Sequence, residues 1–555
     1  MNLIGNINAI PFRRFRGGGG VAPFPSIPGT IARYSALGLT NEQMAANPVW
    51  VDKTGNGHDL QMKNFAWGGM SGVGGYEMNF NLWTNNVLNI SDISMSKTTT
   101  SVSVSVGNSA YNNNLIYIHK NNWDVNKNHW LKVTSTYEDG DLAFIFYNNS
   151  NTKKIGLPAN GYVNILAYPE FKGSYMYIST ISNKQGSFTI EQLPLYPGAL
   201  VFDGVDDYGV CENFPILTKE KGYTVVALRQ WITRGERALG LVSNVKNWLN
   251  NGAFLLEYRN IQADHLNKPI SFGAIGSEMD LPHILTYQTS KSYNGVSITT
   301  GNFEGTDVLH VGKLAPTNVG TCINAAIWEL VFLDHDATEE ELTKIKDYFV
   351  KTYPWLFPYQ AWTVTGKTNE DEDRATIANI TGNGNDLVLS NFGFAEGSGY
   401  NEEGEYAGYL VTDGVDDKIV SSSFEMGKDF TIVGDWKFIG NKKNGTGLVK
   451  GSSFYIYNTM TGLDLYINSG SVKNSLDGIK SINAACSDGR AYDRNWNEIL
   501  ANTGNVVGSG GALEVSSSGG RFDRIAFKNL AIYPRILSKD DCIKAYNYLQ
   551  TLKAK

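Results

Sequence analysis

The chain has 555 residues, with 47 Lys and Arg against 54 Asp and Glu for a formal net charge of −7. This mild acidic excess excludes a general nucleic-acid binder, which carries a basic domain, and 42% hydrophobic residues exclude wholesale disorder. Charged residues are only 18% and glycines number 59, the composition of an all-β chain rich in turns.

At the N-terminus the apolar Leu3, Ile4, Ile7 and Ile10 precede the cations Arg13, Arg14 and Arg16, and Asn6, Asn8 and Pro11 interrupt them. A secretory signal has its charges first and an unbroken apolar stretch after them, so export by the general pathway is not expected. Residues 17–29 (GGGGVAPFPSIPG) cannot hold a regular element. Residues 1–29 therefore read as a docking tail that orders against a partner, with Phe12, Arg13, Arg14, Phe15 and Arg16 as its docking residues.

Beyond the tail the chain repeats itself. Thr54-Gly55-Asn56-Gly57-His58-Asp59-Leu60 returns as Thr381-Gly382-Asn383-Gly384-Asn385-Asp386-Leu387, at an offset of 327. Asp203-Gly204-Val205-Asp206-Asp207 returns as Asp413-Gly414-Val415-Asp416-Asp417, at an offset of 210. Glu329-Leu330-Val331-Phe332-Leu333 and Asn529-Leu530-Ala531-Ile532-Tyr533 close the two units, each followed by a helical stretch. The change in offset locates an insertion of about 117 residues in the first copy. The expected organisation is a tail over 1–29, a first module over 30–76 plus 197–354, an inserted β-sandwich over 77–196, and a second module over 360–555. Insertion at an exposed loop whose ends lie close together is tolerated.

Inside the insert, Ser101 to Val106 (SVSVSV) alternates strictly and reads as a strand. Glu138-Asp139-Gly140-Asp141 lies between two strand-like runs and reads as a hairpin turn. The closing helices carry start signals. Thr338 with Glu341 is a capping-box pattern, and Ser538 precedes Asp541 at the same spacing. The aromatic linker from Pro354 to Gln360 reads as packed rather than free. The four cysteines, Cys211, Cys322, Cys486 and Cys542, have no metal spacing and are expected as buried thiols.

These three twice-repeated segments resemble the laminin-G-like, concanavalin A-like jelly-roll family. The resemblance implies an all-β fold of two jelly-roll sandwiches, the first carrying a small inserted sandwich, each closed by a short helix. The family is functionally diffuse, so the fold does not give the function. The arrangement also resembles virion proteins of tailed bacteriophages that infect Bacteroidetes, the crAss-like phages among them. That likeness implies a head- or tail-fibre or appendage subunit made in the host cytoplasm and docked to capsid or tail proteins through its first residues. It further implies a homo-oligomer, trimers being usual in that class, and host-surface glycans as ligands. Neither nucleic acid nor membrane insertion is expected.

Candidate chemistry is sparse. Asp52, Asn56 and Asp59 space oxygen ligands as a calcium loop does, although Asn-Gly is also a strong tight-turn signal. Asp206, Asp207, Asp416 and Asp417 are adjacent carboxylates, read first as turn-fixing groups and second as metal ligands. Calcium is the one cofactor these turns suggest. Tyr117, Asn122, Trp123 and Trp130 combine aromatic faces with amides and are candidates for glycan binding. The sequence holds no HExxH, no G-x-S-x-G elbow, no Walker loop and no E-x-D-x-x-E strand of the glucan-hydrolysing relatives. The chain therefore reads as not an enzyme. The alternatives are a bacterial surface or secreted glycan-binding protein and, behind it, a glycosidase.

Overall fold

The computed structural model describes residues 23–555 apart from 78, 83, 86–92, 108–113, 119–128, 149–150, 166–174, 181–183, 218–221, 234–238, 244–254, 259–282, 289–305, 314–321, 440–445, 451–453, 459–461, 468–473, 478–481, 501–510, 516, 519–520 and 555. The described chain is all-β, and its helices are short: α1 (Asn41–Ala46), α2 (Glu339–Thr352) and α3 (Lys539–Gln550). Two compact units are present. The first takes in Gly20–Tyr76 and Pro194–Tyr353, and the second Glu77–Leu193 and Pro354–Lys555. The segment expected as an insert in the first module thus belongs to the same compact unit as the second module.

The first unit is a sandwich of two antiparallel six-stranded sheets. Asn324–Leu333 is the central strand of one sheet, paired with Thr224–Trp231 on one side and with Leu200–Asp203 and Thr30–Ser35 on the other. Trp50, Leu60, Phe202, Val225, Ile327 and Leu330 fill the space between the sheets. The second module repeats this plan with two eight-stranded sheets. Ile525–Tyr533 is its central strand, paired with Thr431–Phe438, Tyr409–Val411 and Gln360–Thr363. Both copies carry the same β-bulge. In the first copy the pairing steps past Trp328 between Leu228 and Arg229, and in the second past Lys528 between Asp435 and Trp436. Thr431–Phe438 (TIVGDWKF) is buried over its first six residues, because the core covers one face and α3 packs on the strand as well.

The segment Glu77–Leu193 forms two five-stranded sheets. Its SVSVSV strand has valines buried and serines less so, as the alternation predicts. One expectation fails here. Glu138-Asp139-Gly140-Asp141 does not close a hairpin: His129–Ser135 pairs with Asn160–Ile165 and Gly186–Gln192, while Leu142–Asn148 pairs in the opposite sheet. The turn arches from sheet to sheet. Turn residues signal a reversal but not whether the flanking strands share hydrogen bonds.

The helix caps form as read. Thr338 accepts from the Glu341 N–H and the Glu341 side chain returns to the Thr338 N–H, and Ser538 accepts from the Asp541 N–H. All four cysteines are buried and free. Trp355, Leu356 and Phe357 of the linker are buried within the second unit, where Tyr533 donates to the Trp355 carbonyl at 2.9 Å. The end of the expected tail is not free. Phe24 meets Tyr348 edge-on at 5.1 Å and Ile27 is buried, so the first module begins before residue 30. Phe12, Arg13, Arg14, Phe15 and Arg16 lie outside the described residues.

Candidate functional site

The repeated turns come first, because the sequence placed its metal candidates there. Asp52 Oδ1 accepts from the Arg33 N–H (3.0 Å), the Thr54 N–H (3.0 Å) and the Thr54 hydroxyl (2.8 Å). In the second copy Asn379 Oδ1 accepts from the matching donors, Ala361, Thr381 and the Thr381 hydroxyl. Asp59 and Asp386 each accept the N–H seven positions earlier at 2.8 Å. Asn56 donates to the Ile31 carbonyl, as Asn383 does to that of Tyr359. An amide thus does in one copy what a carboxylate does in the other, and the turn does not need the charge. Asp52→Asn is accordingly expected to shift first-unit stability by less than about 0.5 kcal/mol, checked by urea unfolding; a loss above about 2 kcal/mol would show that the charge matters.

The second pair of turns gathers carboxylates. Asp203, Asp206 and Asp207 have oxygens within 4.8 Å of one another, as do Asp413, Asp416 and Asp417; Asp203 and Asp413 were not among the sequence candidates. In each turn the first Asp caps the loop through N–H groups of the next residues: Asp203 Oδ1 accepts from Val205 (2.7 Å), and Asp413 Oδ1 from Val415 (2.7 Å). The glycine is required there. Gly204 has φ +81°, and a Cβ would lie 2.9 Å from that of Asn324. The last Asp is sunk beneath the turn. Asp207 accepts from the Ser71 hydroxyl (3.0 Å) and the Asp203 N–H (3.0 Å), and Asp417 from Ser398 (3.1 Å) and Asp413 (2.7 Å).

Burial outweighs these donors and raises the Asp207 carboxyl to about 7 and that of Asp417 to about 6. A carboxyl whose folded value lies above its unfolded one holds its proton more tightly when folded. Its contribution is present below about pH 4 and fades as pH rises through about 7. The first unit is expected to gain stability from this group between pH 8 and pH 5, and Asp207→Asn to remove that part of the dependence. Urea midpoints at the two pH values check this; an unchanged dependence in the variant would refute it.

A polar concavity lies elsewhere, within the second unit. It is a pocket of about 630 Å³, a size that takes a small organic ligand. Trp130, Tyr409 and Tyr546 supply its aromatic surfaces, while Trp436 touches it from a ring packed in the core between the sheets. One wall comes from Glu77–Leu193: Trp130 at the start of its strand, and the arching turn with Asp139, whose carboxylate accepts from the Ala159 N–H at 2.7 Å. The facing wall comes from the outer face of the second module's central sheet and from α3.

Asp435 projects from Thr431–Phe438 into this wall and is almost wholly buried. The Tyr409 hydroxyl donates to it at 3.0 Å, and that of Tyr546 donates as well. Burial, and then the Asp435 charge, hold both phenols far above their ordinary range, so they stay protonated donors. Lys528, the bulge residue, is pushed below its ordinary value by burial and drawn back by Asp435. Lys437 places its ammonium 4.6 Å from the centre of the Tyr409 ring.

The rim is a tight turn. Asp493 Oδ1 accepts from the N–H groups of Asn495 and Asn497, both at 2.8 Å. This fold-back puts Trp496 at φ +62°, an uncommon conformation for a bulky residue. Its indole turns inward against Tyr546 (5.7 Å) and Trp130 (6.2 Å), while Arg494, Asn495 and Asn497 line the pocket. The indole N–H groups of Trp130 and Trp496 are buried with no partner among the described residues.

Of the glycan candidates, Trp130 is therefore in the pocket, though buried rather than exposed as a platform. Asn122 and Trp123 lie outside the described residues, and Tyr117 is placed only as part of the strand Asn114–Ile118. Tyr409, Asp435, Arg494 and Tyr546 were missed. By strand register and helix cap, Tyr409, Asp435 and Tyr546 correspond to Ala199, Leu228 and Lys346 of the first copy. The scaffold turns persist between copies, and the pocket positions do not.

No family model and no curated protein matches the chain. Among solved structures it is similar to the Trypanosoma rangeli sialidase in complex with sialic acid, at 10% identity and TM-score 0.26 over 83% of this chain and 85% of that one. It is also similar to the N-terminal CBM22-1-CBM22-2 tandem domain of Paenibacillus barcinonensis Xyn10C, at 10% identity and TM-score 0.15 over 50% of this chain and 96% of that one. Likenesses this distant assign neither activity nor ligand. They do correct one expectation: with sialidases among the structural neighbours, the reading of the chain as not an enzyme does not stand.

Proposed function

We propose that this chain binds carbohydrate in the pocket of its second unit, as an appendage component of a tailed-phage virion. The observation that carries the binding is the pocket's composition: the aromatic residues Trp130, Tyr409 and Tyr546 beside Asp, Asn and Arg groups in about 630 Å³. Sugars offer C–H faces that pack on rings and hydroxyls that need directed polar partners, and such pockets combine the two. The first copy, with Ala199, Leu228 and Lys346 at the corresponding positions, serves as an internal control, since it keeps the fold and lacks the groups.

A glycan array probed with the full chain tests the binding. Asn495→Ala, at an exposed rim position, is expected to weaken a positive signal roughly tenfold while leaving the melting temperature unchanged. Binding that ignores this change would move the site away from the pocket. Release of reducing ends is followed in the same incubations, and turnover there would make the pocket an active site. The virion setting is supported by the order of modules behind the tail and by the phage-protein resemblance. Co-sedimentation of the chain with purified virions is the expected result; recovery only in a bacterial outer-membrane fraction would refute it.

A further inference from the structure

We infer that the saccharide taken by this pocket is acidic, its carboxylate or sulfate held by Arg494. This rests on the pocket being a carbohydrate site and names the ligand class.

The inference follows from which charges are already engaged. Asp435 accepts from the Tyr409 and Tyr546 hydroxyls and has Lys528 as its neighbouring cation. Asp139 accepts from the Ala159 N–H. Lys437 lies over the Tyr409 ring. Arg494 is different. Its carbonyl accepts from Asn483 at 3.3 Å, but its guanidinium has no hydrogen bond or ion pair with any described residue. It is exposed at the rim and lines the pocket. Arg494 lines the same cavity as Tyr409 and Tyr546.

A guanidinium is a planar fork of donors that matches the paired oxygens of a carboxylate or sulfate. Placed at the mouth of an aromatic pocket, it can take the acid group of a sugar whose ring lies against Trp130 and Tyr546. The turn that presents Arg494 is held by Asp493 through backbone N–H groups and by the inward Trp496, so the fork is fixed at its base before a ligand arrives. Carboxylated and sulfated sugars share this chemistry.

The test is calorimetric binding of the full chain to matched probes: galacturonate tetrasaccharide and its neutral methyl ester, and dextran sulfate and dextran fragments of equal length. Each acidic probe separates one source of the anion from the other. The expected result is at least a tenfold preference for one acidic probe over its neutral partner, weakening as salt is raised from 50 to 500 mM. Arg494→Gln is expected to abolish that preference while retaining weak binding to the neutral partner, and Arg494→Lys to restore part of it. Equal binding of acidic and neutral probes, or a preference that survives Arg494→Gln, overturns the acidic assignment and leaves the carbohydrate site standing. No binding of any probe overturns both. The melting temperature of each variant, expected unchanged for a side chain at the rim, separates lost recognition from lost fold.

Discussion

Replacing Glu329 with alanine is expected to cost the first unit about 3–5 kcal/mol, the range for removing one partner of a buried ion pair. The carboxylate is fully buried on the central strand. It accepts from Arg33 through two nitrogens, both at 3.1 Å, and from the hydroxyls of Tyr348 (3.0 Å) and Tyr353 (2.8 Å). Arg33 is also stacked, its guanidinium 4.5 Å from the ring of Phe24 and 5.0 Å from that of Tyr348. Alanine would strand a nearly buried cation and two phenols together. Glu329→Gln keeps one acceptor oxygen for the tyrosines but loses the charge and the oxygen that faces Arg33 Nε, so a smaller loss of about 1–2 kcal/mol is expected. Urea unfolding followed by first-unit tryptophan fluorescence checks both. Equal, small losses below about 1 kcal/mol would show that the network contributes little. The second copy has Asn529 at this position, bonded to the Asp435 N–H and the Leu549 carbonyl instead, so the network belongs to the first copy alone.

Trp130→Ala is expected to have a comparable cost in the second unit, about 3–5 kcal/mol for a buried Trp to Ala change. Its ring meets Tyr546 at 5.4 Å and Trp496 at 6.2 Å, both nearly edge-on, the arrangement that adds to simple burial. The same ring is a wall of the pocket, so two results should move together. The melting temperature of the second unit should fall, and binding of every saccharide probe should be lost. Limited proteolysis should also cut within Glu77–Leu193 sooner. A variant with unchanged melting but no binding would assign Trp130 to ligand contact alone; one that melts early yet still binds would remove it from the site.

The architecture was legible because it rests on local and repeated signals. The turns at Asn56 and Asn383, the Asp203 and Asp413 loops, and the caps Thr338 and Ser538 are each specified within a few residues, and the duplication states them twice. The pocket was not legible because its members come from remote parts of the chain, Trp130 from one segment and Tyr409, Asp435, Arg494 and Tyr546 from another, with no spacing rule to join them. The hairpin at Glu138 failed for a related reason. A turn motif records the reversal of the chain, while the choice between pairing and arching is made by the sheets on either side. That misread arch supplies Asp139 to the pocket wall.

The shared bulge has a consequence for how such modules change. The residue it skips, Trp328 in one copy and Lys528 in the other, has no partner across the ladder to match. In the first copy the indole donates to the Pro197 carbonyl at 3.0 Å; in the second an ammonium stands beside Asp435. A position released from pairing has no side chain directly opposite it on the neighbouring strand, so it can exchange a large ring for a cation without a cross-strand clash. Duplicated sandwiches of this kind thus carry a built-in editing point on the outer face of their central strand, where new recognition chemistry can be written while the core stays as it was.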